Sequence, residues 1–307
     1  MAIALTPPRR SPRTTRRRPP VGRILAWTYL VGVLFITIFP FYWVLRTALS
    51  NNYSLDSHPS SLLPTGFTWG AFERVLGVSS QAEALAQGGS GASVDLAVYL
   101  RNSLIYSSVL TACVVLCSAL AAYAFARLHW RGRNFVFSLF LCALMIPGIL
   151  TLLPNFVFIK NLGLINSFAG LILPGALFSA FDIFFLRQFM LGLSTEIEEA
   201  AVLDGAGRIR VLFRIVLPMT AVPMTTLTLL TFINTWNDYF WPLLVANNQD
   251  VAPLTLGLAL FKQASPETAP DWAGLMAATM VAALPMLLLF MIFGRRIVNS
   301  IGFSGLR

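Results

Sequence analysis

Long apolar stretches alternate along the chain with short polar connectors that carry most of the arginines, and this rhythm predicts its elements. A bilayer crossing takes about 20 helical residues. Six stretches qualify: Ile24–Leu45, Leu104–Ala126, Phe135–Ile159, Phe168–Met190, Met219–Leu244 and Ala273–Phe293. The first follows an arginine-rich start, but its 22 residues exceed the roughly 7–15 of a signal-peptide core, so it reads as an uncleaved anchor. Pro147 and Pro154 in the third stretch, with Pro223 and Pro242 in the fifth, free backbone carbonyls that protein or cavity water must satisfy. They predict either broken helices around an internal path or ordinary packing kinks. On the second stretch Cys113, Cys117 and Ala121 recur every four residues, with Ser118, Ala122 and Ala126 beside them. Small side chains at that period let helices approach closely.

Composition agrees with this pattern. The 307 residues are 56% hydrophobic and 11% charged, with a mean hydropathy of +0.72. An ordinary soluble domain is about 25% charged, so a soluble enzyme is excluded. The expected fold is an all-α membrane protein with six transmembrane helices.

The net charge of +9 changes the picture only through its distribution. Sixteen of the 22 arginines and lysines fall before the first span, between spans two and three, between spans four and five, or after the sixth. Five fall on the other side, and Arg187 lies within span four. The asymmetry places both termini in the cytoplasm. It is accounted for by topology and lipid attraction, with no nucleic acid as partner. Residues 1–22 combine arginines with five prolines and read as a basic, disordered cytoplasmic tail ahead of a membrane domain spanning 23–307.

Residues 47–101 form a large extracytoplasmic segment whose centre, Gln87–Ser93, is small and flexible. That Gly-rich centre lacks the Lys and Ser/Thr that end a phosphate-binding loop, and no such loop occurs elsewhere. Any nucleotide energy must therefore come from another subunit. Cys113, Cys117 and Cys142 lie in apolar runs and make no disulfide framework. His58 and His129 stand far apart, so no metal site is expected. No catalytic residues are expected either, because neither histidine lies within a span to join a convergent catalytic cluster.

Within the spans, Asp182 is costly in hydrocarbon and must face the interior or a wet cavity, in a pathway or a structural role. Arg187, near the cytoplasmic end, can snorkel. In span five Asn234, Trp236, Asn237 and Asp238 bring amide, indole and carboxylate groups together. They suit either a translocation path for a polyhydroxylated solute or, with Tyr239 and Trp241, an interfacial aromatic belt.

The cytoplasmic segment 191–218, between spans four and five, is the most informative. Thr195 and Glu198 have capping-box spacing, and Glu196, Glu198 and Glu199 crowd a first helical turn where the dipole favours acid. Gly205 and Gly207 permit a break. Ile209, Leu212 and Phe213 then recur at helical spacing into span five. The pattern fits a short helix, a hinge and a rigid lever to the membrane, or a plain amphipathic loop.

Glu199-Ala200-Ala201, Asp204-Gly205-Ala206, Phe213 and Leu217-Pro218 resemble, in order, spacing and position, the cytoplasmic loop motif of ATP-binding-cassette (ABC) importer permeases. Leu186-Arg187-Gln188-Phe189, Thr235-Trp236-Asn237-Asp238, Trp241-Pro242-Leu243 and Asp271-Trp272 resemble its carbohydrate, maltose-type branch. The resemblance covers roughly Arg23–Arg307. It implies a type I importer permease in a bacterial or archaeal cytoplasmic membrane, with 191–218 as a coupling loop. The implied partners are a second permease subunit, an ATPase dimer that holds ATP and Mg, and an extracytoplasmic solute-binding protein. Glu199 would meet a basic group on the ATPase, Ala200 and Ala201 would let the helix sit deep, and Asp204, Gly205 and Ala206 would shape the turn.

The chain departs from the family pattern at Gly77–Ser93, which lengthens the outer segment, and at Ile301–Arg307, which lacks the usual small-residue ending. The expected function is import of a sugar. A polyol or glycerol phosphate is the alternative solute, and a self-sufficient secondary transporter is the alternative class.

Overall fold

Apolar helices in lipid satisfy their own backbone groups, so a chain of this composition can place hydrophobic side chains outward as well as inward. The computed structural model describes residues 21–89, 95–177, 179–264 and 270–302, and among them it is helical with no strand. The predicted tail up to residue 20, residues 90–93 of the Gly-rich centre and the last five residues lie outside the described residues.

Three uninterrupted helices are long and apolar enough to span: α1 (Val21–Ala48), α5 (Leu96–Arg127) and α16 (Trp272–Gly302). The remaining spans are broken. The third predicted stretch is α6 (Arg133–Ala143) and α7 (Gly148–Asn161), meeting at 101°. The fourth is α8 (Phe168–Ala176) and α9 (Ala180–Leu191), and the fifth contains α13 (Ala221–Trp236) and α14 (Phe240–Val245). Up to six spans result when each bent pair counts as one, the pair that supplies the fifth being Arg208–Met219 with Ala221–Trp236. Pro147 stands at the break before α7, whereas Pro154 sits inside continuous α7 and Pro223 and Pro242 lie in the first turns of α13 and α14.

The centre of the bundle is α5, which packs against α8, α9, α13 and α15 (Leu254–Ala264). Its buried positions include Ser118, Ala119, Ala122 and Ala126, small enough for close approach, with Cys113 and Cys117 half-buried beside them. By contrast α1 leaves its apolar surface exposed, burying only Arg46, Thr47 and Ala48 at its C-terminal end, and packs on α16.

The outer segment is not the loose loop its composition suggests. It folds into α2 (Asn52–Ser57), α3 (Gly70–Val75) and α4 (Gln81–Ala86), which are tied to the start of α16. Arg74 forks onto Asp271, with Nη2–Oδ1 at 3.0 Å and Nε–Oδ2 at 3.2 Å, and both side chains are buried. Gln87 Oε1 accepts from Arg74 Nη1 at 2.8 Å. The Asn52 amide donates to the carbonyls of Gly88 and Pro270, at 2.8 and 2.9 Å, and its oxygen accepts from Ala273 N. Buried charge needs such pairing to be tolerated. The expected flexibility therefore does not extend to Gln87–Gly89.

Candidate functional site

Between spans four and five the chain forms α10 (Glu196–Leu203), α11 (Arg208–Val211), a π-helical turn at Leu212–Val216 and α12 (Leu217–Met219). Glu196, Glu198 and Glu199 fill the first turn of α10, as the dipole favours. The expected capping box does not form. Thr195 is already helical, with φ −77° and ψ −18°, and its side chain makes no capping bond. Ser194 Oγ accepts from Glu196 N at 3.3 Å instead. Glu198 turns inward, where its Oε1 lies 2.7 Å from Arg127 Nε at the last turn of α5. The N–H is not aimed at that oxygen, so charge rather than a hydrogen bond holds the contact.

The end of α10 follows from its sequence. Ala206 N donates to Ala201 O at 2.9 Å and Gly205 N to Val202 O at 3.0 Å, the paired bonds of a Schellman stop. Gly205 has φ +84°, which glycine adopts at no steric cost. Ala201 and Ala206, the residues that meet across this motif, pack together against the inner cluster of α5 and α9. Gly207 has an ordinary extended conformation, so only one of the two glycines makes the break.

A rigid lever does not follow. Pro218 has no N–H to return to Arg214, and the turn before it winds as a π-helix in which Leu217 N reaches Leu212 O. The chain then bends by 77° into α13. At that bend Thr220 Oγ1 donates back to the Val216 and Leu217 carbonyls, at 2.9 and 3.1 Å.

Only Glu198 is buried in α10. Ala200 and Asp204 are exposed, and Asp204 ends the helix with its N–H on Ala200 O. Leu203 is 89% and Ile209 76% exposed, so the outer face of this segment is apolar. Glu199 is exposed beside a cleft of about 470 Å³ that it lines with Arg127, His129, Glu198, Leu203 and Arg208. An acidic side chain beside exposed leucine and isoleucine is a surface suited to a protein partner with a basic group.

The five candidate path residues have different surroundings. Asn234 and Asn237 are exposed on α13, and Thr225, Thr228 and Thr231 continue their three-residue spacing along a helix whose other side packs on α5. Trp236 is buried and stacks on Phe232 at 5.8 Å. Asp238 accepts from Tyr106 Oη at 2.9 Å, and its backbone carbonyl accepts from Thr255. Asp182 is buried in the first turn of α9, where its N–H donates to Ser179 Oγ and its carboxylate meets Ser179 and Thr231. Arg187 lies 4.1 Å above the Phe137 ring and donates to Phe125 O, so packing engages the one cation that falls inside the spans predicted from sequence.

Residues 114–302 match the family model described as "binding-protein-dependent transport system inner membrane component". The chain belongs to this family. The diacetylchitobiose uptake system permease protein NgcG of Streptomyces coelicolor is 32% identical to it, over 87% of this chain and 83% of that one. The sn-glycerol-3-phosphate transport system permease protein UgpE of Pectobacterium atrosepticum is 30% identical, over 89% and 92%. A crystal structure of a bacterial ABC transporter involved in import of the acidic polysaccharide alginate superposes with a TM-score of 0.68. That match covers 94% of this chain and 99% of the other at 20% identity, and shows the shared fold. The permease is thus a multi-pass transport protein of the membrane rather than an enzyme. Among the described residues no histidine, cysteine or carboxylate cluster could hold a metal.

In the sequence Arg127 reads only as an inside charge, and its pairing with Glu198 is not visible there. Neither is Tyr106 as the partner of Asp238, nor the Arg74–Asp271 fork. Each joins residues far apart in the chain, and no local spacing signals them.

Proposed function

We propose that this permease forms half of the translocation path of an ATP-driven, binding-protein-dependent importer of a neutral sugar. One observation carries the reading. A family permease presents, between spans four and five, a helix with a glycine-made stop, an exposed Glu199 and an exposed apolar face. In this reading Glu199 meets a basic group of an ATPase dimer, and that dimer holds ATP and Mg. Ala200 keeps the contact face shallow so the helix seats in the ATPase, while Ala201, expected on that face, packs inward against α5 and α9. Asp204, Gly205 and Ala206 end the helix in a fixed geometry.

A second permease covers the Asn234 and Asn237 face of α13, where amides and threonine hydroxyls suit the hydroxyls of a sugar. An extracytoplasmic binding protein delivers the solute to the outer side. Trp236, Asp238 and Asp182 serve the path indirectly, by fixing the helices that line it. The arginine asymmetry supports a cytoplasmic location for both termini.

Glycerol phosphate is the second reading for the solute, favoured by the kinship with UgpE. The engagement of Arg187 by Phe137 and Phe125 favours an uncharged solute over it. The test is purification in mild detergent with mass spectrometry of what stays bound. A second permease and an ATPase are expected, with hydrolysis stimulated by sugar-loaded binding protein. A preparation of this chain alone that moves solute in vesicles would contradict the reading.

A further inference from the structure

The docking segment can pass motion to the membrane helices by two routes, and the structure distinguishes them. The covalent route runs from α10 into span five. It crosses the left-handed turn at Gly205, the π-helical turn at Leu212–Val216 and the 77° bend at Thr220. Each departs from straight α-helical winding, so the route is poorly built to carry a push along one axis.

The second route crosses space. Glu198 is the only buried residue of α10, and it is charged. Its partner Arg127 closes the last turn of α5, with 8% of each side chain exposed and 2.7 Å between Nε and Oε1. Arg127 also donates from Nη2 to Leu193 O at 2.8 Å, holding the strand of chain that leads into α10. One guanidinium therefore grips the docking helix and its approach. It does so from the helix that packs on α8, α9, α13 and α15.

A charge pair shielded from water loses far more on separation than an exposed one, because neither partner is resolvated in place. When α10 moves, Arg127 must follow it or leave a buried charge unpaired. The exposed Glu199 next to it points to the cleft and stays free for a partner.

We propose that the Arg127–Glu198 pair is the joint that couples the docking helix to the membrane bundle, carrying movement of α10 directly into α5. The two side chains contact neither solute nor nucleotide in this scheme and act as positioning residues. The inference rests on the reading of α10 as the ATPase-docking helix and adds the route by which docking is felt.

The experiment uses the whole assembled transporter in vesicles, comparing Glu198→Gln, Arg127→Gln and the swap R127E/E198R with the unmodified complex. Bound ATPase, ATP hydrolysed and solute imported are measured together. Coupling free energies between sites commonly correspond to about 5- to 150-fold. The two single variants are expected to keep their ATPase while solute imported per ATP falls at least about fivefold. The swap restores the opposite charges and is expected to recover most of that ratio, which a role in docking alone would not produce.

Single variants that import as much per ATP as the unmodified complex would overturn the joint. So would single variants that lose the ATPase altogether. If neither single variant accumulates in the membrane, the swap decides: coupled import supports the joint, and an assembled but uncoupled swap overturns it. Failure of the underlying reading looks different, because the unmodified complex would then carry no ATPase.

Discussion

The two ends of this permease's bundle, one expected outside and the other inside from the arginine distribution, are tied down in opposite ways. On the outer face, α2, α3 and α4 are stitched to the start of α16 by the Arg74–Asp271 fork, Gln87 and the three bonds of Asn52. On the inner face, α10 buries a single residue and keeps Ile197, Val202 and Leu203 outside. The outer face has several independent attachments and acts as a fixed cap. The inner face is held by one buried charge pair and by Ala201 and Ala206 packed against α5 and α9, and the rest of α10 is exposed. In the proposed reading a segment that transmits motion needs that economy, since further anchors would hold it still.

The largest effect tests the fixed cap. Arg74→Ala removes the cationic partner of the buried Asp271, which still accepts from Gly274 N at 2.7 Å, and breaking such a buried pair costs about 3–5 kcal/mol, whereas Arg74→Lys keeps the charge and loses only the fork. Thermal aggregation of the purified protein should show a large drop for the first and a smaller one for the second. Equal stability of Arg74→Ala and the unmodified protein would dissolve the contrast between the faces.

On the inner face, Glu199→Lys should leave insertion and stability unchanged while uptake falls by about 5- to 150-fold. Uptake at normal expression with normal rate would remove Glu199 from the docking surface. Gly205→Ala places a side chain at φ +84°, where nothing crowds it, so only backbone strain of about 1–3 kcal/mol is added. Proteolysis between α10 and α11 should accelerate and bound ATPase should decrease.

Leucine at Asn234 and Asn237 should change stability by less than about 0.5 kcal/mol, because both amides lie on an exposed face. The KM for solute uptake should rise. The smallest effect belongs to the outer cap. Glu83 accepts from Ser80 N at 2.9 Å and from Ser80 Oγ at 2.8 Å, and the backbone bond first, then the side-chain bond, pulls its carboxyl below the usual range. A folded-state pKa below the unfolded one means that this contribution is present above the ordinary glutamate range. It is lost as pH falls through the lowered value. Amide exchange in α4 should therefore quicken on acidification, and Glu83→Gln should remove that pH dependence.

What could be read from the chain in advance divides along the same line. The six apolar stretches and the stop at Asp204-Gly205-Ala206 were legible, because each depends on residues within a few positions of one another. Pro147 stands at the break before α7, where the sequence left a broken helix and a packing kink equally open. The bend at Thr220 was obscured because Pro218 and Pro223 flank it and neither occupies it. Thr195 and Glu198 had the spacing of a capping box, yet Arg127, a whole helical hairpin earlier, claims Glu198 instead. Residues 47–101 looked like a loop for the same reason, since Arg74 and Asp271 are 197 positions apart. Local chemistry set the helix ends, and distant charge pairs set how the helices are fixed to one another.

The most direct test of the account measures ATP hydrolysis by the purified complex in vesicles as solute-loaded binding protein is added from outside. The account predicts hydrolysis that rises with loaded binding protein, accompanies solute entry, and falls when Glu199 is changed to lysine. Solute entry that proceeds without ATP and without any ATPase bound to this permease would contradict it.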